Sequence, residues 1–409
     1  MRHRRAVSGL AAALALGYLP AHAEGPLEPP DLARYLQWGP VRARPGVVLT
    51  NLGRDGNITY NPHQPVSDYT ATVSPRVEGV VLFGHRGFMT FTEQLDWTIY
   101  KSNRDQDYLN QLGSARLTIP LKRLGFYVDA ALNDVKDRPA DQRDTRTDIR
   151  EHRLGAGLLI RAGWRTDAEI GVVGSSFGYR DPNYANLGDP ACPTVGCLLD
   201  RTERGARALG RYLVFGRTRL TLEVSEKSVT FSNSENGSDG KQSRVLPGIE
   251  FGLGGRLTGT ARLGWASLEP ERAGLPRFSG TVGEARLGYR IGAGTTFEVG
   301  GKRDVGFSIY LKNGYYLDTS GSARVIQYLT HAFGVEAGTV RERITFPDPS
   351  SRVDRVVQYD AGVRVRLSEN ALGRKVEYSF KVTRWVLTTT VPGQNQSRTA
   401  AGFGAVIGY

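Results

Sequence analysis

Few residues in this sequence have the type and spacing that catalysis requires. The 409 residues include only six histidines, and no Gly-x-Ser-x-Gly, His-Glu-x-x-His or phosphate-loop motif occurs. The best cluster for general acid–base chemistry is His152 with Asp148 and Glu151, because a histidine beside carboxylates can exchange protons near neutral pH. Such a histidine in an acidic loop is usually only solvated. We therefore expect no enzyme and no cofactor, and keep an enzyme or surface-binding protein as the least favoured hypothesis.

The two cysteines form a second small cluster. Cys192 and Cys197 lie in the segment Cys-Pro-Thr-Val-Gly-Cys, with no histidine or further cysteine nearby. In an exported protein a disulfide fits this pattern better than a metal site, because a structural zinc needs four ligands. We expect the disulfide to stiffen a loop tip, and we expect no bound metal.

Arginine side chains recur at alternating positions along the chain. A guanidinium can bind carboxylates in a bidentate manner, so these residues are candidates for an anion or sugar path. The alternative is that opposite charges brace neighbouring strands, which we favour at any single position. The candidates are Arg76, Arg116, Arg153, Arg165, Arg219, Arg244, Arg262, Arg286, Arg290, Arg364 and Arg366.

Composition excludes several protein classes. The formal net charge is +12, but the arginines are spread singly without a basic tract, so we expect no nucleic-acid partner. Hydrophobic residues make up 40% of the chain, which is too many for a disordered protein. There is no run of 18 or more apolar residues, so no transmembrane helix is predicted.

The elements that would position the arginines are β-strands. Apolar and polar residues alternate over segments of about ten to fourteen residues, which is the period of a strand. Leu220, Leu222 and Val224 alternate in this way with Arg219 and Glu223. The arginines therefore fall on the polar face of long, two-faced strands.

Short and long connections alternate between these strands. Short turns are predicted at 84–87, 122–125, 162–163, 216–217, 254–255, 292–294, 329–331 and 370–374. Long polar loops are predicted at 61–67, 101–107, 136–150, 180–203, 232–243, 269–278, 304–314, 347–354 and 391–396. The resulting 18 strands, sorted by connection length, are typical of an all-β, antiparallel outer-membrane β-barrel with short periplasmic turns and long extracellular loops. The longest loop, 180–203, is the predicted constriction or lid, since a barrel of this size otherwise leaves an aqueous bore.

Aromatic residues support a membrane barrel. Trp97, Trp164, Trp265, Trp385 and the terminal Tyr409 are predicted to lie at the membrane interfaces, where amphipathic rings are enriched. The chain also ends in an amphipathic strand with a terminal aromatic residue, which resembles the signal recognised by the bacterial barrel-insertion machinery. We expect that machinery and outer-membrane lipid to be partners.

The N-terminus predicts export. Residues 1–23 combine a basic start, an apolar stretch at 6–19 and Ala21-His22-Ala23 as a cleavage site, which is the pattern of a secretory signal peptide. We divide the chain into this signal peptide, a short periplasmic segment at 24–45 and a transmembrane barrel at 46–409. The predicted location is the outer membrane of a Gram-negative bacterium.

Several short motifs in the first part of the barrel point to a family. They are Arg44-Pro-Gly, Asp55-Gly-Asn57, Ser67-Asp68-Tyr69, Val73-Ser-Pro-Arg-Val77 and Asp105-Gln-Asp-Tyr108. Their order resembles the β-barrel porins associated with bacterial exopolysaccharide export, the EpsL-like and VpsM-like proteins, although Gly56 separates an Asp and an Asn that are adjacent in that family. The resemblance implies passage of an exopolysaccharide, with periplasmic polysaccharide-export proteins as partners. It carries over no ligand-binding residues.

Two channel hypotheses follow from the sequence. The first is an outer-membrane conduit for an exopolysaccharide that passes through a polar, arginine-biased lumen. The alternative is a general diffusion porin for small solutes, which differs in the size of the substrate and the direction of passage.

Overall fold

The computed structural model describes residues 27–408 except 34, 85, 138–146, 181–193, 234–238, 309–313, 348–350 and 368–374. These residues include a short helix α1 (Val195–Leu199) and a turn of 3-10 helix (Arg104–Gln106). The strands are β1 (Leu36–Trp38), β2 (Val41–Asp55), β3 (Asp68–Leu82), β4 (Phe88–Tyr100), β5 (Tyr108–Pro120), β6 (Leu124–Asp137), β7 (Thr147–Arg161), β8 (Thr166–Arg180), β9 (Arg201–Phe215), β10 (Thr218–Phe231), β11 (Gly240–Leu253), β12 (Leu257–Pro270), β13 (Phe278–Ile291), β14 (Thr295–Phe307), β15 (Tyr315–Tyr328), β16 (Phe333–Thr345), β17 (Val353–Leu367), β18 (Lys375–Thr389) and β19 (Gln396–Gly408). Among the described residues, no helix is long and apolar enough to cross a membrane.

Strands β2 to β19 close into one antiparallel barrel. Each of these 18 strands pairs with the next along the chain, and β19 returns to pair with β2. The short β1 pairs with the start of β2, with Leu36 opposite Ala43. Closure pairs the backbone groups that would otherwise lie unpaired at a sheet edge in lipid. The predicted 18-stranded outer-membrane barrel is confirmed.

The lengths of the strands and of their connections are those of a barrel that spans a membrane. The barrel strands contain 13 to 15 residues, somewhat more than the roughly 9–11 residues that a tilted strand needs to cross the hydrocarbon core. Two-residue turns such as 216–217 lie at the periplasmic end, whereas connections such as 56–67 lie at the extracellular end. The first barrel strand begins at Val41, ahead of the boundary predicted at 46. The predicted signal peptide 1–23 lies outside the described residues and stays a prediction.

The two faces of the wall alternate in polarity and burial. On β10, Leu220, Leu222 and Val224 are exposed on the outer face, whereas Thr221 and Val229 are buried inside. Apolar side chains on the outer face meet lipid, so hydrophobic burial against the membrane replaces the packed core of a soluble protein. Barrel stability therefore depends on the wall itself and on what fills the inner face.

The seam where the barrel closes is irregular. Asn51 on β2 has a φ of 56°, and the pairing register with β19 shifts between Phe403 and Ala405. A Cβ atom at Gly53 would collide with the backbone carbonyl of Ala401. A β-bulge of this kind bends and twists the strand locally, and here it brings the first and last strands into register.

The predicted interface tryptophans separate into two groups. Trp97 and Trp265 are exposed on the outer face, and Trp164 is exposed in the periplasmic turn 162–165. Trp385 lies on the inner face instead, where its ring meets Tyr60 edge-on at 5.7 Å between centroids. The interface assignment is therefore wrong for Trp385, because this residue alternates in phase with the inward residues of β18. Tyr409 lies outside the described residues.

Candidate functional site

The inner wall of the barrel carries charged side chains of both signs. All the predicted arginines except Arg165 lie on barrel strands, at positions that alternate with the outward apolar residues. Arg165 lies in the turn before β8, with its guanidinium carbon 4.1 Å from the centre of the Trp164 ring. Arg165 is therefore a turn residue, whereas the sequence had predicted it on the inner face of a strand.

A first ion-pair network connects the middle of the wall from β9 to β13. Arg262 lies 3.2 Å from Glu223, 3.1 Å from Glu250 and 3.7 Å from Glu284. Glu223 also accepts a hydrogen bond of 2.8 Å from Arg207. Because these residues come from five neighbouring strands, the network braces this part of the wall.

A second network extends across β15 to β18. The Glu336 carboxylate, whose side chain is only 4% exposed, lies between Arg324 and Arg364, and Arg364 Nη2 is 2.8 Å from it. Arg364 also contacts Glu377 at 2.6 Å, and Arg366 contacts the same carboxylate at 3.4 Å. Arg364 and Arg366 therefore brace the wall, as the more conservative interpretation of the sequence expected.

Two further predicted arginines are also paired. Arg116 lies 3.3 Å from Glu169, and Arg244 lies 2.7 Å from Asp304. Bracing thus accounts for these two arginines as well as for Arg262. Pairs of this kind fix the wall more than they attract solutes, because each positive charge is largely neutralised by its neighbour.

Four predicted arginines on the inner face differ from this pattern. Within the described residues, no carboxylate lies within 4.0 Å of Arg76, Arg153, Arg286 or Arg290. Arg153 is exposed, and its register partners on both sides are small residues, Ala131 and Ser175. These guanidinium groups are therefore free to meet a solute in the bore.

The extracellular ends of β14 and β15 leave the barrel wall. Pairing between β13 and β14 ends at Gly283 and Arg303, whereas β14 and β15 remain paired as far as Phe307 and Tyr315. We call the described residues of these two strand ends, 304–308 and 314–317, the inner hairpin. Sequence alternation predicted an ordinary extracellular connection here.

Contacts with β11 show that the inner hairpin lies inside the barrel. The backbone oxygen of Val305 accepts hydrogen bonds from Gln242 at 3.2 Å and from Arg244 at 3.4 Å, both on β11. Arg244 also makes the ion pair with Asp304 at 2.7 Å. Since β12 and β13 separate β11 from β14 in the wall, the hairpin crosses these two strands on the inside of the barrel.

An apolar cluster lies beneath the inner hairpin. Phe278 and Tyr315 pack edge-on with ring centroids 5.5 Å apart, an arrangement that aromatic rings favour. Phe307, Tyr315 and Leu317 of the hairpin cover a buried set formed by Leu246, Ala266, Leu268, Phe278, Val282 and Val305. The hairpin is thus held inside the bore by both apolar burial and polar contacts, and it narrows the extracellular end.

Helix α1 is a second element that packs on the inner face. Leu199 is buried against Val135, Ile149 and Tyr179 of β6, β7 and β8. Asp200 ends the helix and accepts a hydrogen bond of 2.7 Å from the Tyr179 backbone N–H. Burial raises the pKa of the Asp200 carboxyl, although this hydrogen bond acts in the opposite direction. The described end of the predicted constriction 180–203 therefore lies inside the barrel, while residues 181–193 lie outside the described part of the chain.

The predicted disulfide lies in the same segment, 180–203. The Thr194 hydroxyl accepts a hydrogen bond of 3.2 Å from the Cys197 backbone N–H at the start of α1. Cys192 lies outside the described residues, so its disulfide with Cys197 stays a prediction.

The connection 56–67 is a third inward element. Tyr60 packs against Trp385, and Arg398 on β19 makes hydrogen bonds to the Tyr60 hydroxyl and the Asp55 carboxylate. Asp55 also accepts a hydrogen bond of 3.1 Å from the Asn57 backbone N–H. The Asp55-Gly-Asn57 motif therefore fixes this loop against the inner wall.

Two further motifs of the resemblance, Ser67-Asp68-Tyr69 and Asp105-Gln-Asp-Tyr108, have a similar structural role. Asp68 accepts hydrogen bonds from the backbone N–H groups of Ser102 at 3.0 Å and Asn103 at 2.8 Å. Asp107 accepts one of 2.7 Å from the Tyr100 backbone N–H. These carboxylates satisfy backbone donors at the ends of strands, so the motifs anchor extracellular loops.

The periplasmic end of the bore contains part of the N-terminal segment. Leu27 packs in a buried cluster with Tyr127 and Leu159 on the inner face, and Glu28 lies 3.0 Å from Arg161. The sequence predicted only a lead-in outside the barrel. The apolar Leu27 between two polar stretches is the one signal that could have indicated its burial.

The histidine cluster singled out in the sequence does not form. His152 is exposed on the outer face of β7, whereas Glu151 is buried on the inner face and accepts a hydrogen bond of 2.9 Å from Asn133. Adjacent residues of a strand point to opposite faces. The proposed acid–base cluster is therefore split by the wall.

Comparison with known proteins supports a porin barrel. A family model described as "Putative beta-barrel porin 2" matches residues 200–407, just over half of the 409 residues. No curated protein matches the sequence significantly.

Solved porins share this fold at low sequence identity. OccK2 (OpdF) of Pseudomonas aeruginosa is 12% identical with a TM-score of 0.50, covering 90% of this chain and 97% of that one. A BenF-like porin from Pseudomonas fluorescens Pf-5 is 11% identical with a TM-score of 0.49, covering 90% and 98%. OpdK of P. aeruginosa, solved with vanillate, is 12% identical with a TM-score of 0.48, covering 90% and 98%. Of these three, OccK2 reaches a TM-score of 0.50, and at 12% identity that likeness shows the fold alone.

Proposed function

Because this chain belongs to the family described as "Putative beta-barrel porin 2" and is a barrel of the Gram-negative outer membrane, we propose that it is a diffusion channel for small polar solutes, with anions favoured. The family consists of porins, which are channels and not enzymes. The size and the charge of the solutes are supported by different residues of the bore.

The inner hairpin supports a limit on the size of the solutes that pass, because it narrows the bore. An 18-stranded barrel leaves an aqueous bore unless something fills it. The described residues of the inner hairpin cross the inside of β12 and β13 and contact β11 through Val305 and Asp304. A narrowed, charged bore suits the one-by-one passage of small hydrated solutes better than the threading of a polymer.

The unpaired arginines support the preference for anions. Arg153, Arg286 and Arg290 lie on the inner face without an acidic partner among the described residues. A charged lining raises the local concentration of ions of opposite sign. A carboxylate could also accept two hydrogen bonds from one guanidinium.

Exopolysaccharide export is the second candidate. The motifs that resemble the exopolysaccharide-associated porins favour it, and those motifs anchor the extracellular loops of this barrel. Passage of a polymer would require the inner hairpin to move away from β11. The two functions therefore differ in whether this element stays in place during transport.

A strain that lacks the protein separates the two functions. We expect uptake of small carboxylates to fall while secretion of polysaccharide is unchanged, and expression of the wild-type protein should restore uptake. If the polymer accumulates in the periplasm while solute uptake is normal, the diffusion proposal is wrong and the export function is supported.

Charge selectivity gives a prediction for the arginines. In the triple variant Arg153→Ser, Arg286→Ser and Arg290→Ser, the ratio of anion to cation permeability should fall by roughly threefold, because the fixed charge that attracts anions is removed from the bore. The measurement is the reversal potential of a planar bilayer in a salt gradient.

A matched variant controls for net charge. Arg54, Arg204 and Arg384 are exposed on the outer face, so replacing these three by serine removes the same charge outside the bore. We expect the reversal potential of this variant to match the wild type. Equal shifts in both triple variants would show that the bore arginines do not set the selectivity.

A further inference from the structure

One row of the outer face carries an unusual set of basic and hydroxyl side chains. Arg303 on β14 is opposite Thr319, Thr319 is opposite Arg343, Arg343 is opposite Arg355, and Arg355 is opposite Thr388. We call these five residues the basic row. All five are exposed.

Alternation shows that the basic row faces outward. The chain neighbours of Arg343 and Arg355 are all buried, with 1 to 6% exposure: Glu342, Ile344, Asp354 and Val356. The row also lies near the extracellular end of the barrel, because β16 ends at Thr345 and β17 begins at Val353. It therefore lies where the outer leaflet of the membrane meets the strands.

The charge in the basic row is uncompensated. Arg343 and Arg355 are directly opposite each other, and like charges in this position destabilise a sheet. Among the described residues, no carboxylate lies within 4.0 Å of Arg343, Arg355 or the nearby Arg341. On the inner face, by contrast, basic side chains such as Arg262 and Arg364 have acidic partners. An anion supplied from outside the chain would remove the repulsion.

A shallow trough lies directly below the basic row. Gly301 is opposite Gly321, and Gly321 is opposite Arg341. A Cβ atom at Gly301 would have its nearest neighbour at 3.7 Å, and one at Gly321 at 3.9 Å, so both positions are open. The next row toward the periplasm begins with the exposed Val299 and continues to Ala323. Along the strands, the surface thus changes over a few residues from the basic row to glycines without side chains and then to apolar side chains.

We infer that this surface binds an anionic lipid of the outer leaflet whose negative charge is carried by phosphate. The lipid phosphate would lie between Arg343 and Arg355, whose planar guanidinium groups are suited to bidentate contacts with phosphate oxygens. The Thr319 hydroxyl would donate a further hydrogen bond. An acyl chain would follow the trough over Gly301 and Gly321. The sequence of basic, open and apolar rows matches the headgroup and tail of such a lipid, and the site is independent of what passes through the bore.

The test compares lipid binding by the full-length protein in detergent micelles, measured by native mass spectrometry. The probes are lipid A with two phosphates, lipid A with one phosphate removed, and phosphatidylcholine. We expect the wild-type protein to retain the two-phosphate lipid most strongly. The double variant Arg343→Gln, Arg355→Gln should bind it about tenfold more weakly, since two charge-assisted contacts are lost.

Two further variants make the result decisive. Arg343→Lys with Arg355→Lys keeps the charge and should retain binding between the two extremes. Arg54→Gln with Arg204→Gln removes two outward charges elsewhere on the barrel and should bind like the wild type. Equal binding by all variants would overturn the proposal, as would a wild type that prefers phosphatidylcholine or forms lipid-free dimers through this face.

Discussion

Replacing residues 306–316 of the inner hairpin with an Asn-Gly turn is expected to raise single-channel conductance about twofold or more, because the narrowest section of a bore limits ion flow. The new turn would join Val305 to Leu317, which are opposite each other in the existing register. Asn-Gly is a favoured two-residue hairpin turn. The shortened strands should therefore fold while the bore loses its inward element.

Point variants test the same prediction without removing residues. Arg244→Ala deletes the ion pair to Asp304 and one of the hydrogen bonds to Val305, so we expect an intermediate conductance with more frequent fluctuations. Lys241 lies nearby on the outer face of β11 and is exposed, so Lys241→Ala should conduct like the wild type. Unchanged conductance in the variant with the shortened hairpin would show that the inner hairpin does not limit ion flow through the bore.

The second large effect concerns Glu336. Its carboxylate is nearly buried between Arg324 and Arg364, so Glu336→Ala removes the negative charge that separates the two guanidinium groups and leaves them only their more distant or one-sided partners, Glu298 at 3.9 Å from Arg324 and Glu377 at 2.6 Å from Arg364. Loss of the charge-assisted hydrogen bonds that this nearly buried carboxylate accepts costs about 2 kcal/mol of unfolding free energy. We expect the urea unfolding midpoint of the barrel, refolded into lipid vesicles, to fall accordingly. Glu336→Gln should fall by less, since the amide oxygen can still accept a hydrogen bond.

A more exposed glutamate of the other network provides the control. The Glu284 side chain is 45% exposed and lies 3.7 Å from Arg262, which keeps Glu223 and Glu250 as partners. Glu284→Ala should therefore change the unfolding free energy by no more than about 0.5 kcal/mol. If Glu336→Ala and Glu284→Ala unfold at the same urea concentration, the cluster around Glu336 does not stabilise the wall.

Strand number and the faces of the strands could be predicted from the sequence, because both depend on local signals. Alternation along each strand, as at Leu220 and Val224, sets which side chains face inward. The contrast between short turns such as 216–217 and long loops such as 101–107 sets the two ends of the barrel. These features need no knowledge of which side chains meet across the bore.

Contacts between distant strands could not be predicted in this way. Val305 and Phe307 show the same alternation whether they face lipid or pack on Phe278 inside the barrel. Trp385 likewise has the type and position of an interface residue but packs against Tyr60. The choice depends on where a loop or hairpin folds, which is set by tertiary contacts and not by the period of one strand.

For the arginines, the sequence predicted which face of the wall they occupy but not which of them have acidic partners. Arg364 and Arg153 both fall on the inner face, as alternation indicated. Only the strand register shows that Arg364 lies beside Glu336 and Glu377, whereas Arg153 lies between Ala131 and Ser175. The division into bracing and free arginines is therefore a result of the structure.

Flux through the purified protein in lipid vesicles distinguishes a narrowed channel for small solutes from a wide pore. The vesicles would contain the wild-type protein, and entry of a small carboxylate would be measured beside entry of a neutral dextran. We expect the carboxylate to enter at a rate proportional to the amount of protein and dextran to be excluded. Entry of dextran at a comparable rate, or no carboxylate flux above that of protein-free vesicles, would contradict a narrowed channel for small solutes.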